Sequence, residues 1–228
     1  MNKRIIVAID SNNFKKSINL VSKLKNEVYA FKIGYEFFLN FGIEGYNKIK
    51  KICPKIFLDL KLHDIPNTVK NGIKAIEKLK PILTTIHISG GDEMQKASLI
   101  NKNKKVKILG VSILTSMNNN QTKKYYGEKN INKLVKKYVK YAKENKLDGI
   151  VCSPLEIKNV REIYGKKVLI VVPGIRPENY SKKNDDQSRF VTPKKAIKLG
   201  ADLLVIGRPI TNSDDPLNTL KTINRSLK

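Results

Sequence analysis

One apolar run of the chain reads Ile56-Phe57-Leu58-Asp59-Leu60-Lys61-Leu62-His63-Asp64, so two acids and a base interrupt a stretch that otherwise reads as a buried strand. Strand side chains alternate between two faces, which puts Asp59 and Lys61 on one face and Leu58, Leu60 and Leu62 on the other. Two further charges lie at the ends of earlier apolar runs: Asp10 ends the first and Lys32 nearly ends the second. Taking such groups out of water is costly unless opposite charges pair. Asp10, Lys32, Asp59, Lys61 and Asp64 can therefore form an alternating network. One chemical reading is a stabilising brace of ion pairs. The other is a site in which ammonium and carboxylate groups stand ready to move a proton or to stabilise developing charge. A lone Asp-x-Lys favours the brace, whereas four charges at strand ends favour the site.

Positioning those charges requires a scaffold that ends several strands in one place. Short β-rich runs lie at residues 5–9, 28–33, 56–61, 85–88, 107–113, 149–152, 168–172 and 203–206. Amphipathic helical patterns separate most of them, clearest at 14–24, 67–79, 131–145 and 192–199. The stripe Phe14, Ile18, Val21 and Leu24 illustrates the helical period. Eight βα units without a linker or composition break predict an α/β fold, a single-domain (β/α)8 TIM barrel over residues 1–228. Such barrels place their chemistry at the C-terminal ends of the strands, which is where Asp10, Lys32, Asp59 and Lys61 fall. Gly207-Arg208 directly follows the eighth run, a position where barrels often hold phosphate.

The chain carries 45 basic and 20 acidic residues, a net charge of +25. That raises nucleic-acid binding as a function. Only six of the basic residues are Arg, however, and the lysines are scattered along the whole chain. Base-specific readers lean on Arg and aromatic clusters; no specific nucleic-acid partner is expected. A positive exterior also suits capture of an anionic substrate. No run of about 18 apolar residues predicts a membrane span, and the N-terminal apolar stretch is too short for a signal sequence. Cys53 and Cys152 lie far apart, as reduced core thiols of a cytoplasmic protein would. Neither His63 nor His87 has a helix-spaced partner, so no metal site is expected.

Asp59-Leu60-Lys61-Leu62-His63-Asp64-Ile65-Pro66-Asn67-Thr68 resembles the Asp-x-Lys-x-x-Asp-Ile-Pro-Asn-Thr signature of the orotidine 5'-monophosphate decarboxylases. The similarity continues through Ala8-Ile9-Asp10, Phe31-Lys32-Ile33-Gly34, His87-Ile88-Ser89-Gly90-Gly91 and Leu114-Thr115-Ser116-Met117. It resumes at Val172-Pro173-Gly174-Ile175-Arg176-Pro177, Asp186-Gln187-Ser188-Arg189 and Ile206-Gly207-Arg208-Pro209-Ile210. The resemblance implies a lyase that converts orotidine 5'-monophosphate to UMP and CO2 without a metal or cofactor. It implies a catalytic tetrad of Lys32, Asp59, Lys61 and Asp64, with Lys61 protonating C6. Asp64 and Thr68 would reach the partner's site in a homodimer. Asp10 and Lys32 would bind ribose hydroxyls, Asp59 would face the substrate carboxylate, and Thr115 or Ser116 would meet the pyrimidine. Pro173 and Arg176 match substrate-binding positions after the seventh strand, Gln187 a lid over the ligand, and Gly207 and Arg208 the phosphate site. Mg2+-dependent sugar-phosphate decarboxylases and synthases of the same superfamily share Asp-x-Lys-x-x-Asp. Ile-Pro-Asn-Thr after Asp64 and the later Pro-Gly-Ile-Arg-Pro favour the nucleotide enzyme over them. The alternative from another class, a basic nucleic-acid-binding protein, rests on charge alone.

Overall fold

Each of the eight apolar runs forms a parallel strand, and the last pairs with the first to close a barrel in chain order. The computed structural model describes residues 3–99, 105–177 and 191–227. The strands are β1 (Ile5–Ala8), β2 (Ala30–Ile33), β3 (Ile56–Leu62) and β4 (Leu83–His87). They continue as β5 (Lys107–Val111), β6 (Gly149–Val151), β7 (Leu169–Val172) and β8 (Leu203–Ile206). The helices used below are α1 (Phe14–Leu24), α2 (Tyr35–Ile52), α3 (Pro66–Leu79), α4 (Gly91–Ser98), α5 (Asn119–Tyr126) and α6 (Ile131–Glu144). After these come α7 (Ile157–Tyr164), α8 (Pro193–Leu199), the short α9 (Arg208–Thr211) and α10 (Pro216–Ser226).

Local chemistry explains the helix bounds. The Asn13 side chain accepts the Lys16 backbone N–H and opens α1, whose Val21 and Leu24 are buried with Ile18 packed beside them. Pro66 fits the first turn of α3, where a missing N–H costs nothing. In α6 the buried stripe Ile131, Leu134, Val135, Tyr138, Val139 and Ala142 follows the helical period and faces the barrel wall. Strand bounds coincide with expectation at half of the ends and differ by one or two residues at the others. β4 is the exception in kind: it begins at Leu83, because Leu83 and Thr84 already pair with Phe57 and Leu58, and Ile88 leaves it for a 3-10 turn.

Alternation along the strands builds two cores. Ile5, Val7, Ile33, Leu58, Ile86, Ile108, Ile150, Ile170 and Leu204 point outward and meet the helices. Ile6, Ala30, Phe57, Leu83, Leu109, Val171, Leu203 and Val205 fill the barrel interior. The same inward faces turn polar two residues further on: Lys32 follows Ala30, Asp59 follows Phe57, and Thr85 follows Leu83. The barrel thus has an apolar plug below and a charged mouth above. Among the described residues no helix is long and apolar enough to cross a membrane.

Candidate active site

The charges at the mouth form one alternating row. Lys32 Nζ donates to Asp10 Oδ2 at 2.8 Å and lies 3.4 Å from Asp59 Oδ2. Lys61 Nζ donates to the same Asp59 oxygen at 2.8 Å. Asp59, only 7% exposed, therefore sits between two ammonium groups. Burial alone would raise its pKa, but Lys32 and then Lys61 outweigh that and hold the carboxyl below the usual carboxylate range. Burial likewise works against charge on Lys32, and Asp59 and Asp10 overcome it, so the ammonium is held above its ordinary range. At neutral pH Asp59 is therefore held as the carboxylate and Lys32 as the ammonium.

Asp10 is fixed from a second direction. Its Oδ1 accepts the Gly34 backbone N–H at 2.7 Å. A Cβ at position 34 would stand 2.5 Å from that oxygen, so only glycine permits the approach. Gly34 also caps α2, which places the start of that helix beside the mouth.

β3 carries the least regular backbone of the site. Lys61 adopts φ +43°, and the β3–β4 register shifts between Leu58 and Leu62. Two hydroxyl residues not anticipated from sequence touch this segment. Thr85 Oγ1 lies 2.9 Å from the Lys61 backbone nitrogen and 2.8 Å from Asp59 Oδ1, and Tyr35 Oη donates to the Leu60 carbonyl at 2.8 Å. A polar Thr85 on an inward strand face was the available signal for the first. Tyr35 had no signal beyond following Gly34.

A cavity of about 230 Å³ opens over the row, with Lys32, Asp59, Lys61, Thr115 and Pro173 among its lining. Apolar walls from Val111, Ile113 and Val151 make it suitable for a flat ring. Ser116 is exposed and does not line it, so of the two hydroxyls after β5 only Thr115 faces the cavity. Arg176 is buried at the root of the β7 loop, where its guanidinium donates to the Ile175 carbonyl. Gly207 and Arg208 follow β8 and begin α9. Gln187 lies outside the described residues. Asp64, in the β3–α3 connection, and Thr68, in the first turn of α3, are exposed, and among the described residues no ion pair joins Asp64 to the row. The two histidine rings pack tilted, 5.2 Å between centroids; burial, then His63 and Lys61, push His87 down to about 4, so it is neutral near pH 7. Among the described residues no three His, Cys, Asp or Glu side chains are grouped to hold a metal ion.

Fold and site together define a (β/α)8-barrel with a compact acid–ammonium row at the C-terminal ends of β1 to β3. The family model described as Orotidine 5'-phosphate decarboxylase / HUMPS family matches residues 3–223. The chain belongs to that family. It is 42% identical to the orotidine 5'-phosphate decarboxylase of Wolbachia pipientis subsp. Culex pipiens over 224 residues, covering 98% of each chain. The orotidine 5'-phosphate decarboxylase of Carboxydothermus hydrogenoformans is 41% identical, over 92% of this chain and 90% of that one. Among solved structures, the orotidine 5'-phosphate decarboxylase of Lactobacillus acidophilus superposes with a TM-score of 0.85 at 37% identity, covering 100% of both chains.

Proposed function

We infer that this chain decarboxylates orotidine 5'-phosphate to UMP and CO2, the closing step of UMP synthesis, with no metal or cofactor. The observation that carries this reading is the row Lys32–Asp59–Lys61, its central carboxylate buried, on the wall of a cavity sized for a pyrimidine. Relatives about 40% identical over nearly the whole chain bear the same activity in their names.

The reaction breaks the bond from C6 to the carboxylate and leaves the electron pair on C6. The Lys61 ammonium supplies the proton that replaces CO2, and the resulting amine regains a proton from water. Before that transfer its positive charge stabilises the carbanion, most strongly where water is excluded. Asp59 faces the substrate carboxylate and repels it. At about 4 Å and an effective dielectric of about 20, two such charges repel by about 4 kcal/mol. Enzymes supply roughly 8–23 kcal/mol, so preorganised charge and binding energy from the distant phosphate contribute the larger share. Arg208 and the Gly207 backbone hold that phosphate, Asp10 and Lys32 the ribose hydroxyls, Thr115 the pyrimidine, and Pro173, Arg176 and Gln187 close around the ligand.

Purified protein in EDTA is expected to consume orotidine 5'-phosphate, followed by loss of its absorbance, with UMP as product. Turnover of a sugar phosphate that needs Mg2+, with none of the nucleotide, would overturn the reading. So would salt-sensitive retention on RNA without turnover. Gly34→Ala tests the ribose contact. The added methyl must displace Asp10, so KM is expected to rise by about tenfold with kcat changed less. Equal KM values would remove Asp10 from substrate binding.

The enzyme works as a homodimer in the cytoplasm, with Asp64 and Thr68 completing the partner's site. Exposed apolar Tyr35, Leu39 and Ile43 on α2 and Ile65 before α3 support the dimer, as does the exposure of Asp64 itself. Light scattering that returns the mass of one chain at assay concentration would exclude the dimer, and recovery in a membrane pellet would exclude the location.

A further inference from the structure

The peptide unit between Leu60 and Lys61 is gripped at both ends by side chains. Its carbonyl accepts the Tyr35 hydroxyl at 2.8 Å, and its N–H donates to Thr85 Oγ1 at 2.9 Å. Regular ladder pairing is interrupted here by the register shift between β3 and β4. The next torsion, Lys61 φ at +43°, lies in the left-handed region that disfavours any residue with a Cβ. Such a conformation persists only where its surroundings over-determine it, and it concentrates at functional sites.

The Thr85 hydroxyl has one hydrogen. Because its oxygen accepts from the Lys61 backbone, that hydrogen is committed to Asp59 Oδ1 at 2.8 Å. The other oxygen of Asp59 receives Lys61 Nζ. A closed ring results: Lys61 backbone, Thr85 hydroxyl, Asp59 carboxylate, Lys61 ammonium. Thr85 is wholly buried, so no solvent molecule can stand in for it. Tyr35 is 51% exposed, and water can replace its hydroxyl.

We propose that Thr85, assisted by Tyr35 across the same peptide, is a positioning residue that aims the Lys61 ammonium by fixing its backbone and the carboxylate on which it rests. The effect on rate rests on the decarboxylase reading; the clamp itself does not. Burial and then the Asp59 charge raise the Tyr35 pKa, which keeps its hydroxyl a donor.

Thr85→Val keeps the shape and removes both bonds, while Thr85→Ser keeps the hydroxyl. For the valine variant kcat is expected to fall by about 10- to 100-fold with KM within about threefold of wild type. The serine variant should stay within about threefold in both, and Tyr35→Phe should lose no more than about threefold because water substitutes. Amide hydrogen exchange supplies a second readout: the Lys61 amide should be protected in wild type and Thr85→Ser and should lose that protection in Thr85→Val. Wild-type kcat in Thr85→Val, or equal losses in the valine and serine variants, would overturn the proposal. An unprotected Lys61 amide in the wild type overturns it even if the valine variant does not fold. Absence of nucleotide turnover by the wild type would instead sink the decarboxylase reading, and the exchange measurement would still decide the clamp.

Discussion

Lys61→Ala is expected to lower kcat for orotidine 5'-phosphate by about 10⁴-fold or more while the barrel stays folded. Two losses combine. A positioned proton donor contributes about 10²- to 10⁴-fold, and removal of one group that stabilises developing charge costs about 10²- to 10³-fold more. The fold should survive because Asp59 keeps Lys32 at 3.4 Å and the Thr85 hydrogen bond. Lys61 is also the most accessible of Lys32, Asp59 and Lys61, so its loss leaves no deeply buried charge alone. Lys61→Arg should recover little, since a guanidinium keeps the charge but does not give up a proton near neutral pH. Steady-state absorbance assays with matched circular dichroism spectra decide the matter. An alanine variant within about tenfold of wild type would remove Lys61 from the proton-transfer step.

The second large effect concerns stability. Asp59→Asn keeps size and the acceptor for Thr85 but leaves Lys32 and Lys61 facing each other without the charge between them. Breaking a buried ion pair from one side costs about 3–5 kcal/mol, and a domain of this size loses roughly 2–4 °C in Tm per kcal/mol. A fall of about 10 °C at pH 7 follows from those two magnitudes. The pH dependence has a fixed sign. Asp59 has a depressed folded pKa, so its contribution is complete above its unfolded value near 4 and disappears as pH falls through the folded value. The two melting curves should therefore differ by a constant amount at neutral pH and converge in acid. Lys32 behaves oppositely: its raised pKa stabilises the fold below about 10.5 and ceases to do so as pH rises through the folded value. Without Asp59 that alkaline limit should move down. Equal melting temperatures at pH 7 would show that the row is a cost borne for catalysis and not a source of stability.

The barrel was legible because its period is simple. Eight runs with helical stripes between them need no knowledge of long-range contacts, and α1 falls on the predicted residues 14–24. Asp10, Lys32, Asp59 and Lys61 were legible for a related reason: charge on an otherwise apolar strand has to be paired. Thr85 and Tyr35 were not, since their contacts depend on a register shift between β3 and β4 and on a positive φ at a lysine. Neither is encoded in the local pattern around Lys61. Thr115 and Ser116 are adjacent hydroxyls with the same sequence claim on the site, and only the path of the chain after β5 puts the first in the cavity wall. Asp64 reads as part of the row by spacing, yet it is exposed, and among the described residues no ion pair joins it to the row.

The apolar plug under the mouth has a consequence for traffic. Phe57, Leu109, Val171 and Val205 close the lower half of the barrel with packed side chains. If the nucleotide lies on Asp59 and Lys61 as proposed, a gas molecule released from its C6 meets that packed floor and finds no rear exit. It leaves past the ring that produced it, through the opening by which the nucleotide entered. The barrel thus has one door, and whatever enters or leaves the site passes the charged mouth.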